Sequence, residues 1–227
     1  MMISPESYYD EYLKGKSKEQ IMSAIHGLKQ EVGRLKNIIE NPHNGQEPSL
    51  RPSEETRIHW SREYLDRAKL AYAEAGGTYT MSKSEEKAAE FDSNITFISK
   101  ITLSIGGFFG GFCGYVVELS DELRAYTKLW VDEEPLVLLD EDDKPFIIST
   151  FVAALADLHI CEWRRSYSTM RFGYMVCDGT QWDLEIEFNN GHTPVKYNGD
   201  NSYPYNFDKL TMLFGIENTE EDVDEQI

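Results

Sequence analysis

The 227-residue sequence predicts an α+β protein, with an N-terminal helical hairpin module followed by an antiparallel sheet domain that has one or two packed helices. Two observations support this. In the first part of the chain, apolar residues recur every three or four positions, as in amphipathic helices. From about Asn94 onward, β-branched residues become dense and apolar residues alternate with charged ones, as in half-buried strands. We place a helical module at 1–93, the sheet domain at 94–215 and an acidic tail at 216–227.

The first long helix is predicted over residues 17–39. Ser17 and Gln20 have the spacing of a capping box, which satisfies free backbone amides at the start of a helix. The apolar residues that follow are spaced alternately by four and three: Ile21, Ile25, Leu28, Val32, Leu35 and Ile39. Such a stripe must be buried. A second helix of the same chain or a homodimer through the helix 17–39 would bury it.

The second helix is predicted over 54–75, between Pro52 and the glycine pair at 76–77, which is a typical stop signal. Small alanines and Tyr64 line one of its faces, so another helix can approach closely: Ala68, Ala71 and Ala75. We therefore favour an antiparallel hairpin over the homodimer. Residues 41–52 hold three prolines and are predicted to be a loop, and a third helix is predicted at 82–91.

The sheet domain begins with a predicted hairpin. A strand at 95–105 and a strand at 115–119 flank the glycine-rich stretch GGFFGGFCG. Two more strands are predicted at 123–131 and 136–139. Asp143 is then predicted to cap a helix that has Pro145 in its first turn. The buried face of that helix is predicted to contain Phe146, Ile147, Phe151, Ala154, Leu155 and Leu158.

A three-strand meander is predicted next, over 171–177, 181–188 and 194–197. Asp178-Gly179 and Asn190-Gly191 are the dipeptides that tight hairpin turns favour. In the middle strand four apolar residues alternate with Asp183, Glu185 and Glu187, which predicts one core face and one acidic face. The aromatic stretch 201–207 is expected to pack the last helix, which is predicted from Asn206 to Phe214.

Negative charge is concentrated in the second part of the chain. Residues 1–100 carry a net charge of −2 and residues 101–227 carry −16, which together account for −18. Such a field repels nucleic acid and anionic membranes and attracts basic surfaces. We predict that a partner-binding surface is formed by Asp132, Glu133, Glu134, Asp140, Glu141, Asp142, Asp143, Asp183, Glu185 and Glu187, with six further acids between 217 and 225.

The cysteines and the N-terminus predict a cytoplasmic protein. Cys113, Cys161 and Cys177 are odd in number and form no CxxC pair, which is typical of buried free thiols in a reducing compartment. No signal peptide and no apolar run of membrane-spanning length is expected.

Carboxylates in the predicted meander also allow a metal-dependent hydrolase. Asp178, Asp183 and Glu185 are the hard oxygen ligands that Mg²⁺ prefers, with Lys196 as the neighbouring lysine. A solvated strand face explains the same alternation more simply. The glycine-rich stretch lacks the Gly-Lys-Ser/Thr ending of a P-loop, and the histidines have no metal-ligand spacing. We therefore predict no catalytic residue, no metal and no cofactor.

One basic and aromatic cluster interrupts the acidic part. Trp163, Arg164, Arg165, Tyr167 and Arg171 are residue types that stack on bases or bind phosphates. In an acidic surrounding we expect these arginines to pair with the acids near 140–143 or 183–187 instead.

Three stretches carry a resemblance: SPESYYDEYLKGKSKEQIMSAIHGLKQEVGRLKN, EWRRSY and DGTQWDLEIEFNNGHTPVKYNGDNSYPYNF. They resemble an uncharacterised protein family of gut Firmicutes, some members of which are carried on mobile elements. The resemblance brings no activity and no catalytic residues. It implies a role in conflict between a host and mobile DNA.

These observations lead to one expected function and two alternatives. We expect a non-catalytic acidic binding protein, an inhibitor of the anti-CRISPR or anti-restriction type that occupies a basic nucleic-acid-binding surface by phosphate mimicry. Its partner would be a basic protein surface, with no direct nucleic acid and no membrane. The alternatives are a small metal-dependent hydrolase or nuclease and a scaffold protein that assembles through the helix 17–39.

Overall fold

The computed structural model describes residues 2–41, 52–107, 110–129, 132–176 and 178–216. The chain divides into two compact units, Met1–Ser82 and Lys83–Ile227. Helices fill the first unit, and the second is built on a seven-stranded, mostly antiparallel sheet. The predicted α+β class, with helices before the sheet, is therefore confirmed.

The first unit contains α1 (Pro5–Tyr8), a π-helical turn (Tyr9–Leu13), α2 (Lys18–Ile39) and α3 (Glu54–Glu74). The predicted capping box at the start of α2 is present, because Ser17 accepts from the Gln20 amide while the Gln20 side chain accepts from the Ser17 amide. Capping fixes where α2 begins and uses two amides that would otherwise lack partners.

Helices α2 and α3 form the predicted antiparallel hairpin. Ile25 packs in one cluster with Ala68, while Glu31 pairs with Arg57 at 2.7 Å, so the two helices run in opposite directions. Ala68 and Ala71 are buried as predicted, whereas Ala75 follows the end of α3 and is exposed. The hairpin buries much of the α2 stripe inside the chain. The homodimer through the helix 17–39 stays a prediction.

The N-terminal segment is tied to α3. The Tyr64 hydroxyl donates to the Ile3 carbonyl at 2.7 Å, and the Tyr8 ring stacks on Tyr64 with centroids 4.4 Å apart. Arg67 lies over the Tyr9 ring at 3.8 Å. Burial raises the pKa of Tyr8, and the neighbouring Tyr12 and Tyr64 add to the shift. These contacts hold α1 and the π-helical turn against the hairpin.

The second unit places seven strands in the order β4-β3-β2-β1-β6-β7-β5, and β5 is the strand that pairs in parallel, with β7. Its helices are α4 (Lys83–Asn94), α5 (Ile148–Asp157) and α6 (Phe207–Leu213), with a 3-10 turn at Ile95–Phe97. Its strands are β1 (Ile98–Gly107), β2 (Gly111–Leu119), β3 (Leu123–Leu129), β4 (Asp132–Leu136), β5 (Ser166–Ser168), β6 (Thr180–Phe188) and β7 (Val195–Asp200).

The predicted three-strand meander is wrong in its first strand. Ser168 accepts from the Met170 amide and opens a 3-10 turn at Thr169–Phe172, which ends at Gly173 in the left-handed region with φ 84°. Strand β6 pairs with β7 and, on its other side, with β1. The Asn190-Gly191 turn is confirmed. Asp178-Gly179 does not join two strands, because pairing with the apolar β1 outweighs a local hairpin.

The predicted cap at Asp143 is also wrong. Asp143 lies in a turn in the left-handed region, with φ 59°, and α5 begins only at Ile148. The Thr150 hydroxyl accepts from the Ile147 amide there and replaces the predicted cap. Leu139 pairs with Pro145 in an antiparallel bridge, so the chain makes a short hairpin beyond β4 instead of entering a helix.

One side of the sheet forms the core of the second unit. Leu103 on β1 lies opposite Leu184 on β6, and both side chains are buried. Trp182 on the same side is fully buried and lies 4.7 Å from the Phe207 ring of α6, measured between centroids. The stretch 201–207 packs α6 as predicted, since Pro204, Tyr205, Asn206 and Phe207 are all buried.

Among the described residues no helix has both the length and the apolar character needed to cross a membrane. Cys113 and Cys161 are free thiols and only half-buried, so they are less enclosed than predicted. Cys177 lies outside the described residues.

Tyr197 on β7 gives a pH-dependent prediction. Burial raises the pKa of its phenol to about 12, although the Arg165 guanidinium acts in the opposite direction. An unfolded tyrosine ionises near pH 10, so the folded state holds its proton more tightly. The stability that the folded state gains from holding this proton is fully present below about pH 10 and is lost as the pH rises toward 12. We expect the free energy of unfolding to fall over this interval, and to fall less in Tyr197→Phe, in urea titrations at successive pH values.

Candidate functional site

The side of the sheet opposite Trp182 carries mostly polar side chains, and we call it the polar face. Cross-strand partners lie on the same side of a sheet, so the register defines this face. Its charged members lie on six strands, from the β4 edge to β7: Lys100, Glu118, Arg124, Lys128, Glu133, Asp183, Glu185, Glu187, Lys196 and Asp200.

Charges on the polar face alternate in sign from strand to strand. One row across the sheet reads Glu187, Lys100, Glu118, Arg124. Glu185 pairs with Lys196 at 2.8 Å, and Glu133 lies 3.7 Å from Lys128. The predicted alternation of apolar and acidic residues along the strand 181–188 is therefore present. Cations on the neighbouring strands, however, balance most of the negative charge on its acidic face.

Asp183 is the acid of β6 that has polar, uncharged neighbours in register, Ser104 on β1 and Asn198 on β7. Asp178 precedes β6 and is exposed. Within the described ranges, no group of three or more histidine, cysteine, aspartate or glutamate side chains is placed to hold a metal ion. The structure thus does not bring Asp178, Asp183 and Glu185 together into the ligand set that the hydrolase alternative requires.

The four consecutive acids at 140–143 form a turn that the backbone holds in place. Asp140 Oδ1 accepts from the amides of Asp142 at 3.0 Å and Lys144 at 2.9 Å, and the Asp143 amide donates to the Asp140 carbonyl at 3.0 Å. Lys144 also pairs with Asp142, although both side chains are well exposed and such a pair is weak in water. In the described part of the chain the ion pair of this turn is that of Lys144 with Asp142, and Glu141 and Asp143 have no cationic partner there.

A second acidic turn lies at the same end of the sheet. Leu119 pairs with Leu123, so Asp121 and Glu122 form the turn between β2 and β3. Strand β4 ends at Leu136, opposite Ala125, and the chain continues past this end into the 140–143 turn. We call these residues the acidic end: Asp121, Glu122, Asp140, Glu141, Asp142 and Asp143.

The remaining predicted acids lie on the edge strand β4. Glu133 belongs to the polar face, whereas Asp132 and Glu134 alternate with it and point to the other side of the sheet. All three are exposed. Pro135, also on β4, lacks an amide donor and is typical of an edge strand that does not pair further. The predicted acids at 217–225 lie outside the described residues.

The basic and aromatic cluster is mainly structural. Trp163 and Tyr167 are buried, so their rings are not free to stack on bases. Arg165 lies over the Tyr197 ring at 4.9 Å and donates to the Lys196 carbonyl at 3.2 Å, in place of the predicted acidic partners. Arg171 lies 5.0 Å from the Phe172 ring. These contacts explain the cluster without a nucleic-acid ligand.

The glycine-rich stretch forms the turn of the β1–β2 hairpin, as predicted, with Gly107 opposite Gly111. An added Cβ at Gly106 would overlap the backbone of Gly111, so this close approach requires glycine. Phe112 is exposed beside the turn, and Phe108 and Phe109 lie outside the described residues.

The sequence reasoning missed a group of exposed apolar residues next to the acidic end. Val137, Leu139 and Ile147 were expected within a strand and a buried helix face, yet all three side chains are exposed. The run of four acids at 140–143 is the signal that could have found them, because a polar turn between two apolar triplets predicts a hairpin.

Comparison of the chain with protein-family models, curated proteins and solved structures finds no match in any of the three. Charge and geometry of the chain itself are therefore the basis on which a function can be proposed.

Proposed function

We propose that the chain is a non-catalytic acidic binding protein that occupies a basic, nucleic-acid-binding surface of another protein, as an inhibitor of the anti-CRISPR or anti-restriction type. The acidic end is the observation that supports this most directly. It places six carboxylates on two turns, and Asp140 fixes the larger turn through backbone hydrogen bonds. Lysine and arginine contacts dominate nucleic-acid affinity, so carboxylates held in this way can compete for them.

The polar face supports the proposal less than the acidic end does. Its carboxylates have cations beside them in register, such as Lys196 beside Glu185 and Lys128 beside Glu133. A basic partner would have to displace these lysines, whereas Glu141 and Asp143 would gain a partner without losing one. The electrostatic part of binding is therefore assigned to the acidic end.

Neither alternative function gains an observation from the described residues. Hydrolysis by Asp178, Asp183 and Glu185 would require ligands that converge, and no such group is present there. Assembly through the helix 17–39 would use a stripe that α3 already covers in large part.

A salt-dependent capture experiment tests the proposal. We expect the immobilised chain to retain basic nucleic-acid-binding proteins from a bacterial lysate at about 50 mM salt and to release them at about 300 mM, because counterions screen exposed charges. Duplex DNA should compete with the chain for each recovered protein. The fourfold variant Asp121→Asn, Glu122→Gln, Glu141→Gln, Asp143→Asn should bind the recovered protein at least roughly tenfold more weakly at low salt.

The matched control neutralises two acids of the polar face that already have cationic partners, Glu133→Gln and Glu185→Gln. It should bind within about twofold of the wild-type chain, since its exposed pairs contribute little. Recovery of no basic protein, binding that salt does not weaken, or a loss in the control as large as in the fourfold variant would contradict the proposal.

A further inference from the structure

The hairpin beyond β4 has one apolar face that nothing in the described chain covers. Leu139 pairs with Pro145, the Asp140 amide donates to the Lys144 carbonyl and the Phe146 amide donates to the Leu138 carbonyl. In this ladder Leu139 and Pro145 face each other as a non-hydrogen-bonded pair, so their side chains lie close on one side.

Exposure alternates along both arms of this hairpin. Val137 is 71% exposed, Leu139 46% and Ile147 62%, whereas Leu138 between them is buried. Phe146 lies on the inner side with Leu138 and contacts the Phe151 ring edge-on at 5.7 Å. We call the outer side the apolar hairpin face: Val137, Leu139, Pro145 and Ile147. Its inner side anchors the hairpin to the core, so the outer side is presented on a fixed support.

The setting of the apolar hairpin face defines the chemistry of its occupant. The 140–143 turn closes the hairpin, so carboxylates border the apolar residues at its tip. An apolar centre with a charged border is the usual composition of a protein interface. Contiguous exposed apolar residues with such a border mark contact sites on soluble proteins. The complementary surface has apolar side chains surrounded by lysine or arginine.

Charge also argues against the two occupants that the chain itself could supply. The segment 217–225 carries six acids and would meet the acids at 140–143 with like charge. A second copy of the chain would bring a net charge of −18. Like charges brought together in an interface cost affinity, so a cationic partner is favoured over both.

We infer that the apolar hairpin face is the docking site for an apolar side chain of the same basic partner, with the acidic end binding the cations around it. This inference rests on the proposed function and adds the part of the contact that salt does not weaken. The acidic end then supplies attraction and orientation, while burial of Leu139 and Ile147 supplies affinity that persists as salt rises.

Two synthetic peptides of equal charge serve as the probe: a fluorescently labelled peptide of alternating lysine and leucine, and one of alternating lysine and serine. Affinity of the full chain for each is measured by fluorescence anisotropy as a function of salt. We expect the lysine–leucine peptide to bind the wild-type chain about tenfold more tightly than the lysine–serine peptide, which corresponds to burial of about one aliphatic side chain.

The test variant is Leu139→Ser with Ile147→Ser, and the matched control is Leu70→Ser with Met212→Ser, which removes side chains that are 61% and 64% exposed elsewhere. The test variant should bind both peptides equally and keep the salt dependence of the wild-type chain. The control should keep the tenfold preference for leucine. Circular dichroism melts of both variants check that each is folded.

Three results would overturn the inference. Equal binding of both peptides to the wild-type chain, with the expected salt dependence, rejects the apolar docking site and leaves the proposed function standing. Binding of neither peptide at low salt rejects both. The third result is a dimer of the wild-type chain that light scattering detects and that grows with concentration. If Leu139→Ser with Ile147→Ser abolishes this dimer, the occupant of the apolar hairpin face is a second copy of the chain.

Discussion

Replacement of Trp182 by alanine should lower the free energy of unfolding of the second unit by roughly 3–5 kcal/mol, the largest loss expected for a single substitution in this chain. Trp182 is fully buried, and its ring lies 5.9 Å from Tyr167 and 4.7 Å from Phe207, between centroids. Its indole Nε1 donates to the Ser202 carbonyl at 3.0 Å. Alanine would leave a cavity where β5, β6 and α6 meet, and a buried carbonyl without its donor.

The measurement is urea unfolding followed by near-ultraviolet circular dichroism, which reports aromatic packing. Trp182→Phe separates the two causes, since it keeps an aromatic ring and removes the N–H donor; we expect a loss of roughly 1–3 kcal/mol. The control is Trp60→Ala in the first unit, where the ring is half-buried and the loss should be smaller. A loss for Trp182→Ala no larger than that of Trp60→Ala would show that Trp182 does not organise this core.

The neighbourhood of Trp182 also shows why Gly199 and Gly179 occur near the ends of two strands. An added Cβ at Gly199 would overlap the Trp182 indole, and one at Gly179 would overlap the Asn201 side chain. Asn201 lies in the left-handed region with φ 49°, and its Oδ1 accepts from the Thr180 amide at 2.9 Å. The motif DGTQW therefore has a packing role, and its glycine does not mark the hairpin turn that the sequence suggested.

Local patterns predicted the elements whose stability is local. The capping box at Ser17 fixed the start of α2, and the alternate spacing of four and three identified the side that packs on α3. The Asn190-Gly191 turn likewise joins β6 and β7 where it was predicted, with Gly191 at φ 84°. In each case the residues that decide the structure are neighbours in sequence, so their pattern is visible without the fold.

Pairing between distant segments is what the sequence could not show. Strand β6 lies between β1 and β7 in the sheet, although residues 108–179 separate β1 from β6 in the sequence. A strand with apolar residues at alternate positions can pair with any other strand that has the same alternation. The Asp178-Gly179 dipeptide favoured the segment just before β6, at 171–177, as that partner. In the structure a 3-10 turn follows Ser168, so the segment predicted as the first strand of the meander does not pair with β6.

The same limit applies to the candidate site. Composition predicted that the second part of the chain is acidic, but the charge that a partner meets depends on which cations lie beside each acid. Lys100 and Lys196 balance Glu187 and Glu185 only because β1 and β7 flank β6. Acids in turns have no flanking strands to supply cations, and in the turn at 140–143 Lys144 pairs with Asp142 only as a weak, exposed pair. The candidate binding surface is therefore placed at the acidic end and not on the strand face that the sequence predicted.

Asn206 gives the second prediction of large effect. Its side chain is buried; Nδ2 donates to the Leu158 carbonyl at 2.7 Å, and Oδ1 accepts from Trp163 Nε1 at 3.0 Å. Asn206→Ala should lower the free energy of unfolding by roughly 2–4 kcal/mol, since it leaves a buried indole N–H and a buried carbonyl unpaired. Urea unfolding at neutral pH measures the loss. Thr211→Val, which changes another buried polar residue in the adjoining helix α6, serves as the control and should cost less.

Asn206→Asp distinguishes loss of hydrogen bonds from loss of shape, because aspartate has the size of asparagine. A protonated carboxyl can donate to the Leu158 carbonyl and accept from Trp163, as the amide does, whereas a carboxylate loses the donor and is a buried charge. The folded state would therefore raise the pKa of this carboxyl above that of the unfolded chain. Relative to wild type, the variant should be least destabilised below about pH 4 and increasingly destabilised toward pH 7. A stability equal to that of the wild-type chain at every pH would mean that Asn206 acts by shape alone; the predicted slope would show that its two hydrogen bonds join the end of α5, Trp163 and the start of α6.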